Sequence, residues 1–186
     1  MIRLNALLLV AVLIMGGCAQ SEPEIERLDQ VILLDVQGLW GGQDLWISAN
    51  GKAACRFVAP TTETQSGLQE TRYSFVLSAQ QQADLLELVK KHRFFSIKTK
   101  DRHGVPDEAR PSIVISSGPN THAVGKWAND EHKDFDPIYR LLLSIVESGK
   151  REPETHRGAF IWEWKPDGFP ESKGIWNMTT PNMKIE

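Results

Sequence analysis

The alternation of apolar and polar positions divides this chain into short elements. Val31 to Val36 (VILLDV) is an apolar, β-rich run, and after Gly38-Leu39-Trp40-Gly41-Gly42 the segment Asp44 to Ala49 reads as a second strand. Asn50-Gly51 then marks a two-residue hairpin turn, in which both central positions take positive φ. The return strand runs from Lys52 to about Ala59 and carries Cys55. A loop with Pro60, Thr61, Thr62 and Gly67 follows, then a strand from Thr71 to Leu77 with Tyr73, Phe75 and Leu77 on one face.

The period changes next. Ser78-Ala79-Gln80-Gln81 has the spacing of a capping box, and a helix runs to about His92 with Leu85, Leu86 and Val89 inward. Lys90, Lys91, His92 and Arg93 gather at its C-terminal end, where the helix dipole favours cations. Phe94, Phe95 and Ile97 are expected in the core. Pro111 to Ser117, the turn Gly118-Pro119-Asn120 and Thr121 to Trp127 form another hairpin. Asp136-Pro137 reads as the N-cap and first residue of a last helix. Its apolar stripe is Ile138, Leu141, Leu142, Ile145 and Val146, at i, i+3, i+4, i+7 and i+8, and Ser148-Gly149 stops it. These elements predict an α+β fold: an antiparallel sheet of about five strands in hairpins with two helices on one face, in the order β-β-β-β-α-β-β-α, followed by an aromatic-rich C-terminal tail.

Residues 1–17 have a different pattern. Arg3 supplies a single positive charge, and Leu7 to Met15 is an unbroken apolar run. It is too short to cross a bilayer, which takes about 20 apolar residues. Ile14-Met15-Gly16-Gly17-Cys18 resembles the lipobox of bacterial lipoproteins, with Met15 where Leu is usual. The resemblance implies cleavage before Cys18, lipidation of that cysteine and a membrane anchor. Ala19 is not the Asp that holds members of that class at an inner membrane, so in a Gram-negative organism the resemblance implies the outer membrane. Ala19 to Gln30 is polar and acidic, a tether of twelve residues that reaches at most ~40 Å.

The chain thus divides into a signal peptide at 1–17, a polar tether at 18–30, an α+β domain at 31–149 and an extension at 150–186. In the extension, Phe160, Trp162 and Trp164 alternate as on a strand with one aromatic face, ahead of a Pro166-Asp167-Gly168 turn and of Gly174-Ile175-Trp176. That face either packs on the domain or presents a stacking surface for a sugar or a protein. The stretch "YSFVLSAQQQADLLELVKKHRFFSI", preceded by an "ANG" turn and followed by a hairpin and a helix, resembles an uncharacterised family of bacterial secreted and lipoprotein domains. The resemblance covers about residues 43–149 and carries no functional residue with it.

Composition narrows the functional classes. The 186 residues are 41% hydrophobic and 24% charged, a globular balance. The net charge is −3, and removing residues 1–17 removes only Arg3, which leaves 20 bases against 24 acids. Such a surface gives no reason to expect nucleic acid. With Cys18 lipidated, Cys55 has no disulfide partner.

No phosphate-binding loop, nucleophile elbow or zinc-protease helix is present in the sequence, and no cofactor or metal is expected. Cys55-Arg56 admits two readings: a buried structural thiol, or a thiolate activated by the neighbouring cation. Two charged loops are the other candidates, KTKDRHGVPDEAR at 98–110 and ANDEHKDFD at 128–136. They leave the same end of their hairpin, opposite the Gly-Pro-Asn turn, so His103, Asp107, Glu108, Asp130, His132 and Asp134 are candidates to meet. Oxygen and imidazole groups of that kind suit a divalent cation, yet Arg102, Arg110 and Lys133 balance the acids, and solvated loops are the preferred reading. Two functions follow. One is a non-catalytic envelope lipoprotein, a binding, scaffolding or inhibitory module with a protein or glycan partner, in which Trp162 and Trp164 are binding candidates. The other is an envelope hydrolase built on the two loops, acting with or without a divalent cation.

Overall fold

The computed structural model describes residues 24–37, 40–99, 102, 103, 105 and 107–169. The signal peptide expected at 1–17, Cys18, Gly38-Leu39 and Gly174-Ile175-Trp176 lie outside the described residues. The chain forms an α+β domain in which a seven-stranded antiparallel sheet carries two helices. The strands are β1 (Gln30–Gln37), β2 (Gly41–Ser48), β3 (Lys52–Pro60), β4 (Leu68–Val76), β5 (Ser112–Ser117), β6 (Asn120–Gly125) and β7 (Glu154–Ala159). The helices are α1 (Ala79–Lys91) and α2 (Asp136–Gly149). The sheet order is β6-β5-β1-β2-β3-β4-β7.

The count of about five strands, six in the predicted order, is therefore corrected to seven. The strand that patterning misses is β7, which pairs with β4 through Gln69↔Ala159 to Arg72↔His156. Its sequence, ETHRGA, has no apolar alternation because its side chains are mostly exposed on an edge. The first part of the extension therefore belongs to the sheet. The strand expected at Phe160–Trp164 is not formed; β7 ends at Ala159, and Trp164 N–H closes a turn on the Ile161 carbonyl at 3.2 Å.

Strand alternation assigns each side chain to a face. Val31, Leu33, Leu45, Ile47, Ala53, Cys55, Ile113, Ile115 and Val124 face the helices and form the main core with Leu85, Val89, Phe94, Ile138, Leu142, Ile145 and Val146. Burying each large aliphatic chain stabilises the fold by about 1.5–3 kcal/mol. Leu141 and Leu86 are half-buried at the edge of the stripe. The capping box at α1 forms as the spacing predicts: Ser78 Oγ accepts from Gln81 N–H at 3.1 Å, and Gln81 Oε1 accepts from Ser78 N–H at 2.9 Å.

Three local expectations are corrected. In the β2–β3 hairpin only Gly51 has positive φ (76°), its N–H bonding the Ser48 carbonyl at 2.9 Å. This is a longer turn closed by a left-handed glycine, not the two-residue turn expected. β2 begins at Gly41, not Asp44, because Gly41 and Gly42 approach the flanking strands closely. A Cβ on Gly41 would meet Val58 O at 2.0 Å, and one on Gly42 would meet Asp35 O at 2.0 Å. At α2, Phe135 is the cap and Asp136 the first helical residue. His132 Nδ1 accepts from Phe135 N–H at 3.2 Å in the place where a side-chain oxygen was expected.

The tether is also shorter than the polar run suggests. Ile25 is 6% exposed and belongs to the main core, and Asp29 N–H already bonds the Ser116 carbonyl at 2.8 Å. Six residues separate Cys18 from Ile25. Among the described residues no helix is long and apolar enough to cross a membrane.

Candidate functional site

The two charged loops do meet, and a cation joins them. Arg102 Nε donates to Asp130 Oδ1 and Oδ2 at 3.0 and 3.2 Å, and its Nη2 donates to Glu108 Oε1 at 2.7 Å. Glu108 also accepts the N–H of Asn129 at 3.0 Å and of Val105 at 3.2 Å. The Arg102 hydrogen bond, aided by those two N–H groups, holds the Glu108 carboxyl down at about 2. The Arg102 and Arg110 guanidinium carbons lie 5.3 and 5.2 Å from the centre of the Trp127 ring. The acids that read as ligands thus accept from an arginine and from backbone N–H groups.

The other candidates are not gathered there. His103 and Asp107 are exposed, and Asp107 adopts φ 62°. His132 turns its ring to the start of α2, and Asp134 lies 3.3 Å from His92 at the end of α1. Asp136 is paired with Lys126 at 2.8 Å. Burial opposes ionisation of Asp136, but Lys126 and the His132 N–H outweigh it and hold the carboxyl below the usual range. Among the described residues no group of three or more His, Cys, Asp or Glu side chains is arranged to hold a metal.

Cys55 is buried and free, and burial pushes its thiol up to about 12. The activated-thiolate reading required help from Arg56. Successive strand residues point to opposite faces, so Cys55 lies under the helices while Arg56 lies on the far side of the sheet.

That far side carries the largest group of buried charges, which sequence reasoning missed. Register places Leu34, Asp44, Arg56, Arg72 and His156 side by side from β1 to β7. Arg56 is 4% exposed; its Nε and Nη2 each lie 2.8 Å from Asp44 Oδ2, and its Nη1 lies 3.4 Å from Glu70 Oε2. Glu70, 0% exposed, also pairs with Arg72. Asp44 Oδ1 accepts the N–H groups of Asp35 and Val36 at 2.8 and 3.2 Å. Burial, the largest influence, pushes the Asp44 carboxyl up, and Arg56 with those N–H groups pulls against it.

The tail closes over this row. Arg56 Nη1 donates to the Ile161 carbonyl at 2.6 Å. Trp164 packs edge-on against Trp46 at 5.0 Å, with the Arg56 and Arg72 guanidinium carbons 5.5 and 4.4 Å from its ring centre. Phe160 covers Val58 and Leu68, and Phe169 joins Ile32, Trp46 and Val114. Of the two tail residues singled out for binding, Trp164 is packed and Trp162 is 50% exposed, next to Ile161 at 47%. Trp40, at the same end of the sheet, is 66% exposed. A signal was available in hindsight: Asp44, Arg56, Glu70 and Arg72 all sit on the strand face away from the apolar alternation, with charges that balance.

Asp35 is a separate case. It faces the helices, accepts from Tyr139 Oη at 2.5 Å, and is raised to about 6 by burial, with Tyr139 opposing and the Asp44 charge adding. No family model, curated protein or solved structure matches this chain.

Proposed function

We infer that the chain is an exported lipoprotein, anchored by lipid on Cys18, whose domain binds an envelope partner, protein or glycan, at the end of the sheet remote from the anchor. The observation that carries this reading is the polarity of the domain. The chain enters at Ile25 and Gln30, beside the Gly118-Pro119 turn. Trp40, Ile161, Trp162 and the loops clamped by Arg102 sit at the other end of β1. At about 3.3 Å per residue, an eight-residue strand separates the two ends by roughly 25 Å. Seven Cα steps from Cys18 to Ile25 span at most ~25 Å, so the anchor end stays within that distance of the membrane while the aromatic residues lie at the opposite end of the sheet. Large exposed aromatics dominate interface energetics, which supports Trp40 and Trp162 as contact residues.

A binding module is favoured over a hydrolase because Glu108, Asp130 and Asp136 accept from Arg102, Lys126 and backbone N–H groups. A general base needs a free lone pair aimed at substrate. Two measurements test the reading. Cys18→Ser should abolish incorporation of labelled palmitate. Trp40→Ser with Trp162→Ser should cut recovery of a crosslinked envelope partner at least tenfold, with an unchanged unfolding midpoint. Continued labelling in Cys18→Ser overturns the anchor; equal loss of the partner on changing exposed α1 positions such as Gln80 and Glu87 overturns the aromatic end as the contact.

A further inference from the structure

A cleft of about 180 Å³ opens at the end of the sheet where the chain enters. Val31, Ile47, Leu77 and Leu85, none more than 4% exposed, form its floor. One wall is the entering chain itself, through Leu28. That wall is pinned by Ser117 Oγ, which donates to the Arg27 carbonyl at 2.7 Å, and by burial of Ile25. Aliphatic cavities of ~150 Å³ stay dry and accept a small hydrocarbon, so the aliphatic floor suits methylenes, while Glu26, Arg27, Ser48 and Gln82 give the cleft its polar part.

The occupant is narrowed by two observations. Only six residues lie between Cys18 and Ile25, and seven Cα steps reach at most ~25 Å, so an acyl chain on Cys18 is held beside the cleft. A linker that short raises the local concentration of its cargo to roughly the millimolar range. The rim gives the second. Arg27 is paired with Asp29 (Nε–Oδ1 2.9 Å), and its neighbours at the rim are Glu26 and Gln82. A free fatty acid would bring a carboxylate to a rim whose cation is already engaged, whereas an acyl chain esterified elsewhere brings no charge.

We propose that this cleft holds the terminal methylenes of one acyl chain of the protein's own Cys18 lipid when the protein is out of a bilayer. The proposal rests on the lipoprotein reading. It gives the short tether a consequence: the residues just after the lipid build the shelter for it. A lipoprotein that moves from one membrane to another crosses water with its acyl chains attached, and a cleft at the root of the tether reduces the apolar surface exposed on the way.

The test uses the full chain made in cells fed a diazirine-bearing palmitate, purified, freed of detergent, irradiated and mapped by mass spectrometry. The expected product joins the Cys18 acyl chain to the peptide carrying Leu77, Ala83 or Leu86. Ala83→Phe, which fills the cleft from α1, should reduce that product at least tenfold without lowering the unfolding midpoint. Should Ala83→Phe not fold, Leu86→Gln at a half-buried lining position should act in the same direction. A product that persists undiminished in the folded variant overturns the proposal. So does a product joining the cleft to a phospholipid or to another protein, which assigns the cleft to a membrane lipid or a partner. Labelled Cys18 without any product overturns the cleft and leaves the anchor standing. Unlabelled Cys18 overturns the anchor, and this proposal with it.

Discussion

The two faces of the sheet are covered by different means. Under α1 and α2 the strands present Leu33, Leu45, Cys55, Ile113 and Ile115, each fully buried, to an equally apolar layer of helix side chains. On the other face, Asp44, Arg56, Glu70 and Arg72 lie beneath a segment without regular structure, and three aromatic rings, Phe160, Trp164 and Phe169, fill the gaps. The helix-covered face gains from non-directional burial and tolerates adjustments of shape. The tail-covered face depends on each charge keeping its partner, because an unpaired ion out of water costs far more than a lost methyl group. The first face thus supplies cohesion, while the second ties the tail to one path across the sheet.

The sharpest way to break this comparison is at Arg56. Arg56→Ala leaves the Asp44 carboxylate buried without its counter-charge and Glu70 with Arg72 alone, and should cost about 3–5 kcal/mol in denaturant unfolding. Leu142→Ala under the helices should cost about 2–5 kcal/mol, through lost burial and a cavity. The two are separated by a rescue. Replacing Asp44, Arg56, Glu70 and Arg72 together with apolar residues should restore much of the stability lost in Arg56→Ala. A loss below about 1 kcal/mol in Arg56→Ala would mean that the row is solvated and the contrast false.

Removing the tail is next in size. Truncation after Ala159 keeps β7 but uncovers the row and the ring sites of Phe160 and Trp164. Each buried ring contributes on the order of 1.5–3 kcal/mol, so the midpoint should fall clearly and dye binding to apolar surface should rise. An unchanged midpoint would show that the tail rests on the sheet without holding it.

The helix-covered face has its own charged weak point, and pH reads it. Asp35 is raised to about 6, above its ordinary 3.8. Between those values the folded protein keeps a proton that the unfolded chain releases, so stability falls as pH rises from about 4 to about 6 and stays lowered above. Asp35→Asn should remove that fall and raise stability at pH 7 by roughly 1–3 kcal/mol, since one pKa unit corresponds to about 1.4 kcal/mol. The amide can still accept from Tyr139. A wild-type slope of opposite sign in that window would exclude Asp35 as its source.

The smallest effect is expected at the loop clamp. Glu108 is held at about 2, so its contribution is present above its ordinary 4.5 and lost as pH falls toward 2. Arg102→Ala should move the melting temperature by no more than about two degrees, because the Arg102 side chain is 31% exposed and Glu108 keeps the N–H groups of Val105 and Asn129 without it. Hydrogen exchange of Ala128 and Asn129 N–H, which bond Ala109 and Glu108, should nevertheless quicken. Unaltered exchange would mean that the loops are joined without Arg102.

Much of the helix-covered face was legible because its determinants are local. The stripe Ile138, Leu142, Ile145 and Val146 has helical period, and Ser78 and Gln81 have capping spacing, so the sequence pattern places α1 and α2 within a residue or two. The sites were less legible. Spacing brought the loops at 98–110 and 128–136 to one end of their hairpin, and the structure agrees. Which groups meet there depended on Arg102, one cation among several in the same loop. His132 and Asp134 went instead to the start of α2 and the end of α1.

By itself, the sequence determined the α+β class, the position of the turn at Gly51 and both helices, all of which follow from periodicity and capping over a few residues. Tertiary structure alone decided the seventh strand and the covering of the far face. β7 has no apolar alternation to announce it, since an edge strand with exposed side chains is held by backbone bonds to β4, which any sequence can make. Arg56 finds Asp44 twelve residues away, Glu70 fourteen away and the Ile161 carbonyl 105 away. Those partners are chosen by strand register and by the return of the tail, and no local pattern along the chain encodes which buried charge will meet which.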